Sequence, residues 1–514
     1  MSSALTPVAG RRASEPRATG SRVSVRWAAI TVTVAVVAFV ARLRPVLAGA
    51  GLRGLGNYDD GVYFGASVAF VHGRIPYRDF LLLHPPGIVL ALAPFAVFGR
   101  LTSEGTGFAA ARIAFMALGA INAVLVARIL RPVSLSAAVL GGLGYALFYP
   151  AVYVEQTTML EGLGNTCLLV AVLLLTRGAG TSPRSTRALV AAGAVLGLSA
   201  SIKIWGLVAI LLVFGWLSWV ENVRRAVLLL AGAAVAIVVV CGPFFLADPS
   251  AMREYVVTAQ LGRSRGSTRL AVRLSDILGL HLHPSSTSLG PLLSVALVVS
   301  VALTVLACRE PRMRLAVVLA VGLAVFLLAS PTWFVHYSGL TAPPAALVFG
   351  AAGQQLMHWS ARWTLHASTA MGAALLLILL AYAAPLRHAS FGKHFAGAAL
   401  RSAVSSRPGC VTADDPAALV ELNVLGRDVD RHCPLVIDSG GYSYVLGTSH
   451  DYRLSRNRDK GWQEHTLTYL RSGTAAIVVR YKVGGGFSAA TGRTISRWPV
   501  LRQVGADVLR IPRP

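Results

Sequence analysis

Long apolar runs separated by short polar segments dominate the chain as far as about residue 385. Runs at or near spanning length lie at roughly 27–47, 107–130, 133–152, 159–176, 188–202, 204–220, 226–246, 290–308, 313–330, 338–353 and 367–385. A helical crossing needs about 20 predominantly apolar residues. The pattern predicts a polytopic α-helical membrane protein of about 11 spans. Two shorter stretches, 61–73 and 85–99, interrupt the first long gap and read as amphipathic helices lying at the membrane surface. The runs that meet at Lys203, and those that meet near His336, are joined tightly enough to be re-entrant.

From Leu386 the pattern changes. Strand-like "LVIDSG" and "AAIVVRYKV" alternate with helix-like "DDPAALVELNVLG" and "WQEHTLTYLRSG", which predicts a small α/β domain outside the membrane. Three regions follow. Residues 1–26, rich in Ser, Pro, Ala and Arg without apolar periodicity, read as a disordered basic tail. Residues 27–385 form the membrane domain, with a first exterior loop over 48–106, and 386–514 form the exterior domain. "GGGFSAATG" (484–492) follows a strand but lacks the third glycine and the following helix of a dinucleotide fingerprint, so it reads as a turn.

Composition agrees with this division. Hydrophobic residues make up 55% of 514 positions and charged residues 13%, with a mean hydropathy of +0.62, which excludes a soluble globular chain. The net charge of +25 does not indicate a nucleic-acid partner, because the arginines punctuate the apolar runs instead of forming one patch. Arg128 and Arg131, Arg184 and Arg187, Arg224 and Arg225, and Arg309 and Arg312 fall in alternate loops, and the N-terminal tail is basic. By the positive-inside rule the N-terminus is cytoplasmic, and an odd number of spans puts the C-terminal domain outside a plasma membrane. There Cys410 and Cys433 are expected to form a disulfide, whereas Cys167, Cys241 and Cys308 read as packing residues.

The topology gathers chemistry on one side. "NYDDGVYF" carries Asp59 and Asp60 just past the first span, where a partly desolvated carboxylate beside like charge serves as a general base or a metal ligand. Glu155 and Glu161 flank the next exterior turn. Lys203, in "SASIKIWGL", either snorkels or meets an anion such as a membrane-bound phosphate. Arg263, Arg265, Arg269 and Arg273 suit phosphate oxygens, and His336 and Tyr337 lie at the last short exterior turn. No acid sits clearly mid-span, as the relay of an ion-coupled transporter would require.

Together these motifs resemble the GT-C superfamily of integral-membrane glycosyltransferases, in the branch of the protein mannosyltransferases and aminoarabinose transferases. Tyr58-Asp59-Asp60-Gly61-Val62-Tyr63 is similar to that family's acid-bearing first loop, and "HGRIPYRDFLLLHPPG" to its continuation. "EGLGN", "KIWG" and "HYSGLTAPP" follow in the family's order. Asp60 stands where many relatives carry Glu, and the family pattern favours Asp59 as the base. The resemblance implies sugar transfer from a polyprenyl-phosphate donor to an envelope glycan, glycolipid or protein, by one inverting displacement. Asp59 and Asp60 would be catalytic, and Glu155 and Glu161 would orient the acceptor or, with Asp60, hold a divalent cation. Lys203, Arg263, Arg265, Arg269, His336 and Tyr337 would bind the donor phosphate. Two other readings remain: a transporter or flippase of lipid-linked glycan, marked by inverted repeats and midplane charges, and a noncatalytic glycan-binding assembly protein.

Overall fold

The computed structural model describes residues 18–176, 184–263, 266–282, 289–445 and 455–513. The first helix, α1 (Ala18–Ala48), begins inside the expected tail, of which residues 1–17 lie outside the described residues. After it come α2 (Tyr58–Val71), α3 (Gly87–Leu101), α4 (Glu104–Leu130), α5 (Leu135–Leu147), α6 (Tyr149–Glu155), α7 (Leu160–Thr176), α8 (Thr186–Ile202), α9 (Gly206–Val220) and α10 (Val223–Ala247). Apolar helices over Leu289–Ala307, Arg314–Ala329, Ala342–Ser360 and Leu365–Ala383 complete the bundle.

Helices stand at all eleven expected positions, but six are long and apolar enough to cross a membrane: Val25–Ala48, Glu104–Leu130, Val223–Ala247, Gly290–Ala307, Pro311–Ala329 and Leu365–Arg387. The α5–α6 pair, bent by 57°, counts as a seventh if it is one span. The bend has a local cause. Pro150 has no N–H to return to the carbonyl of Ala146, and Arg42 Nη1 donates to that oxygen instead at 3.1 Å. α7, α8 and α9 have 15–17 residues, or about 22–26 Å at the helical rise, which falls short of a full hydrocarbon core. α8 and α10 touch backbone to backbone: a Cβ on Gly193 would come 2.0 Å from the Leu229 carbonyl oxygen.

The two surface helices behave differently from each other. α3 turns Leu90, Val97, Phe98 and Leu101 outward, as a helix against lipid does. α2 is not a surface helix: Asp60 through Ala69 are all buried. Small residues on α2 admit the C-terminal unit, with Gly61 facing Ala417 and Gly65 facing Pro416. The side chains of α2, α3 and the helix Pro416–Leu422 share one hydrophobic core.

The C-terminal unit is a four-stranded mixed sheet flanked by helices. β1 (Val411–Ala413) runs parallel to β2 (Ala475–Ile477), and β2, β4 (Asp507–Arg510) and β3 (Val500–Val504) pair antiparallel in the order β1-β2-β4-β3. Cys410 and Cys433 form the expected disulfide. The "GGGFSAATG" stretch turns tightly at Gly484 (φ +83°), but contrary to the expectation a helix does follow, Ala489–Ser496, capped by Ser488.

Candidate active site

Asp59 and Asp60 open α2 after Asn57, and successive side chains on a helix point about 100° apart. Asp60 therefore faces the bundle, fully buried. Its Oδ2 accepts from Arg112 Nε at 3.0 Å and pairs with Nη2, while Oδ1 accepts from Thr158 N at 3.0 Å and Thr158 Oγ1 at 2.6 Å. Arg112 Nη1 donates to the carbonyls of Leu52 and Gly54. Such a pair is satisfied internally and has nothing left for a substrate.

Two further acids named for the site are also paired with cations, although the buried Glu161 Oε2 has no hydrogen-bond partner among the described residues. Glu155 is buried against Arg42, whose Nε and Nη2 donate to Oε2 at 2.9 and 2.5 Å, and its Oε1 accepts from Asn122 Nδ2 and Tyr145 Oη. Glu161 pairs with Lys203, whose Nζ also lies 4.5 Å from the ring centroids of Trp205 and Tyr337. His336 Nε2 stands 4.0 Å from Glu161. With Asp60, Glu155 and Glu161 each bound to a cation of the chain, the set does not suit a divalent metal. Among the described residues no three His, Cys, Asp or Glu side chains gather as a metal cluster.

Asp59 is the exception. It is half-buried, and among the described residues no group donates a hydrogen bond to its carboxylate. It lines a pocket of about 340 Å³ with two walls. The bundle wall carries Tyr63, His84, Arg263, His336 and Tyr337. The wall from the C-terminal unit carries Asp438, Tyr444, Arg456, Arg480 and Tyr481.

Three guanidiniums enter this pocket without a carboxylate partner among the described residues. Arg263 Nη1 donates to Tyr337 Oη at 3.1 Å, its guanidinium lies 4.7 Å from the Tyr444 ring centroid, and its Nε has no partner. Arg456 reaches the Gly440 carbonyl at 3.3 Å and likewise leaves Nε free. Arg480 reaches only the Gly56 carbonyl, at 3.5 Å. Arg480 is exposed, but the backbone that carries it is fixed, because the buried Asp414 carboxylate accepts from the N–H groups of Val479, Arg480 and Tyr481 at 2.7–3.0 Å.

The remaining titratable groups are tuned by burial. Asp438 Oδ1 accepts from Tyr58 Oη at 2.9 Å and Gly441 N at 2.7 Å. Burial first, and then the Asp59 charge, push its carboxyl up to about 6. His84 packs edge-on against Tyr63. Burial, reinforced by Lys203, Arg263 and His336, holds its imidazole well below the usual range and hence neutral.

Of the expected arginines, then, Arg263 reaches the pocket. Arg269 is exposed at the start of the short helix Leu270–Ile277, Arg273 is buried against the Leu328 and Ser330 carbonyls, and Arg265 lies outside the described residues. Sequence reasoning missed Asp438, Arg456, Arg480 and Tyr481. The one local signal was "IDSGG", an acid after a strand-like run followed by a Gly-Gly turn, and only the fold brings it to Asp59.

Residues 82–331, just under half of the chain, match the sequence model of Glycosyltransferase family 87. The match begins past Asp59 and ends before His336. No curated protein matches the chain by sequence. Among solved structures, ArnT from Cupriavidus metallidurans in the apo state superposes with a TM-score of 0.59 at 16% identity, covering 96% of this chain and 100% of ArnT. ArnT bound to undecaprenyl phosphate gives 0.58 at 17%, covering 97% and 100%. The archaeal oligosaccharyltransferase AglB from Archaeoglobus fulgidus, in complex with an inhibitory peptide and a dolichol-phosphate, gives 0.57 at 13%, covering 89% of this chain and 69% of AglB.

Proposed function

From the premise that this chain has the GT-C fold of membrane glycosyltransferases, we propose that it transfers a sugar from a polyprenyl-phosphate donor to an envelope acceptor on the outer face of the membrane. One observation carries the reading: among the described residues Asp59 is the pocket acid with neither a cation nor a hydrogen-bond donor on its carboxylate, and the pocket's arginines have no acid partner. Three guanidiniums against two carboxylates leave one positive charge, which complements the single negative charge of a sugar phosphodiester.

The acceptor hydroxyl gives its proton to the Asp59 carboxylate as its oxygen bonds to the anomeric carbon. The bond from that carbon to the phosphate oxygen breaks, and the electron pair leaves with polyprenyl phosphate. The second charge this creates falls among Arg263, Arg456 and Arg480, where fixed cations stabilise it most in the transition state. Lys203, already paired with Glu161, acts at one remove through Tyr337 and His336. For the isoprenoid tail, an apolar cavity of about 520 Å³ opens among the helices Leu289–Ala307, Arg314–Ala329 and Ala342–Ser360. Ile277 lines that cavity and packs in one cluster with Tyr337 of the polar pocket. The disulfide supports an oxidising, extracytoplasmic setting for the C-terminal unit, and with a cytoplasmic N-terminus that setting requires an odd number of crossings.

The test compares envelope glycans and lipid-linked sugars with and without the gene, and then supplies synthetic polyprenyl-phosphate sugars to the purified protein. Loss of the gene is expected to deplete one glycan and accumulate its lipid-linked donor. Asp59→Asn is expected to lower turnover by roughly 10²–10⁴ with the fold intact. Wild-type turnover by that variant would remove Asp59 from the role, and unchanged glycans and lipids would remove the transferase reading.

A further inference from the structure

Asp438 enters the pocket's charge balance but takes no part in the bonds that form and break. Asp438 comes from the C-terminal unit, yet it reaches the residue next to Asp59. The Tyr58 hydroxyl donates to Asp438 Oδ1 at 2.9 Å, accepts from Gly440 N at 2.7 Å and lies 3.0 Å from Ser439 Oγ. This turn is itself held in place. Gly441 N donates to Asp438 Oδ1 at 2.7 Å, Trp462 Nε1 donates to the Ser439 carbonyl at 2.7 Å, and Ser439 Oγ donates to the Asp414 carbonyl at 2.8 Å. Trp462 is fully buried. The first residue of α2 is thus clamped by a rigid turn more than 370 residues away in the chain.

We propose that Asp438 is a positioning residue of the transfer reaction: through Tyr58 it sets the first turn of α2 and so aims the Asp59 carboxylate, making the C-terminal unit part of the catalytic site. The proposal rests on the reading of Asp59 as the base. The physical argument is one of rigidity. Asp59 has no hydrogen-bonding partner of its own among the described residues, so its direction depends on the backbone that carries it, and that backbone is fixed at Tyr58. A misplacement of about 1 Å in such a group costs on the order of 10²-fold in rate. Because the clamp needs only an acceptor at Oδ1, an amide can keep it and a methyl cannot.

The experiment uses membranes of a gene-deleted strain expressing each full-length variant, supplied with radiolabelled polyprenyl-phosphate sugars. It reads kcat and donor KM per folded molecule. Tyr58→Phe is expected to lower kcat by about 10²-fold with donor KM unchanged, and Asp438→Ala, which also takes a negative charge out of the phosphate pocket, to lower kcat as much with a donor KM no higher than wild type. Asp438→Asn is expected to restore most of the loss. The double variant Tyr58→Phe/Asp438→Ala should fall no further than either single one, since both break one clamp. A kcat within twofold of wild type for Asp438→Ala, while Asp59→Asn is inactive, overturns this inference alone. Full activity of Asp59→Asn, or no transfer by the wild type from any donor, overturns the reading beneath it.

Discussion

Asp59 and Asp60 share a peptide bond, but among the described residues only Asp60 carries a guanidinium. Arg112 neutralises Asp60 at zero exposure, with its own guanidinium carbon 3.9 Å from the Phe108 ring centroid. Taking away that cation leaves a carboxylate charge in the interior. Arg112→Met is therefore expected to destabilise the protein by about 3–5 kcal/mol, read as a lowered melting temperature in detergent and a reduced yield of monodisperse protein. Asp59→Asn, at a half-exposed position with no partner to strand, is expected to melt as the wild type does while losing transfer. An Arg112→Met protein as stable as wild type would mean that Asp60 is not held as an ion there. The sequence could name the acids of this region but not their partners. Arg112 lies 52 residues from Asp60, and Arg42 lies 113 from Glu155. No spacing rule reaches that far, so a buried acid with a distant cation reads like a catalytic one.

At the scale of elements, α2 shows what a hydropathy pattern leaves open. Its helical character was legible, as were the eleven apolar segments and the Cys410–Cys433 pair. What covers α2 was not, because "DGVYFGASVA" is equally suited to lipid and to protein. The structure places protein there, and glycine is what permits it. An ideal Cβ at Gly61 would sit 2.7 Å from the Ala417 Cβ and 3.0 Å from both the Ala417 nitrogen and Asp415 Oδ1. The Ala417 backbone belongs to a helix and cannot yield. Gly61→Val is expected to push the helix Pro416–Leu422 off α2, at a cost of about 1–3 kcal/mol for overpacking. Limited proteolysis checks it: cleavage within the C-terminal unit should rise while the bundle stays resistant. Unchanged cleavage would show that the two units meet less tightly than these distances require.

Across the whole molecule, the joint between bundle and C-terminal unit is lined by carboxylates that burial keeps reluctant to ionise. Asp415 and Glu421 are pushed up to about 7, and Asp414 and Asp438 to about 6, with burial the largest cause in each case. Three of them touch the bundle directly: Asp415 approaches Gly61, Glu421 approaches Gly105, and Asp438 holds Tyr58. Their ordinary values are 3.8 for Asp and 4.5 for Glu, so the docked state binds protons more tightly than an unfolded one. The stability they contribute is therefore fully present below about pH 4, and it is lost as the pH rises through 6 and 7. Hydrogen exchange over 57–71 and 411–430, corrected for the intrinsic rate, should show protection falling between about pH 5 and about pH 8. Protection that stays level or increases over that range would mean that these carboxylates are ionised at no cost, and hence that water reaches the joint. Asp415→Asn separates the contributions. It removes one titrating group from the contact with α2, so the fall in protection over 57–71 should flatten while exchange in the rest of the bundle remains unaltered.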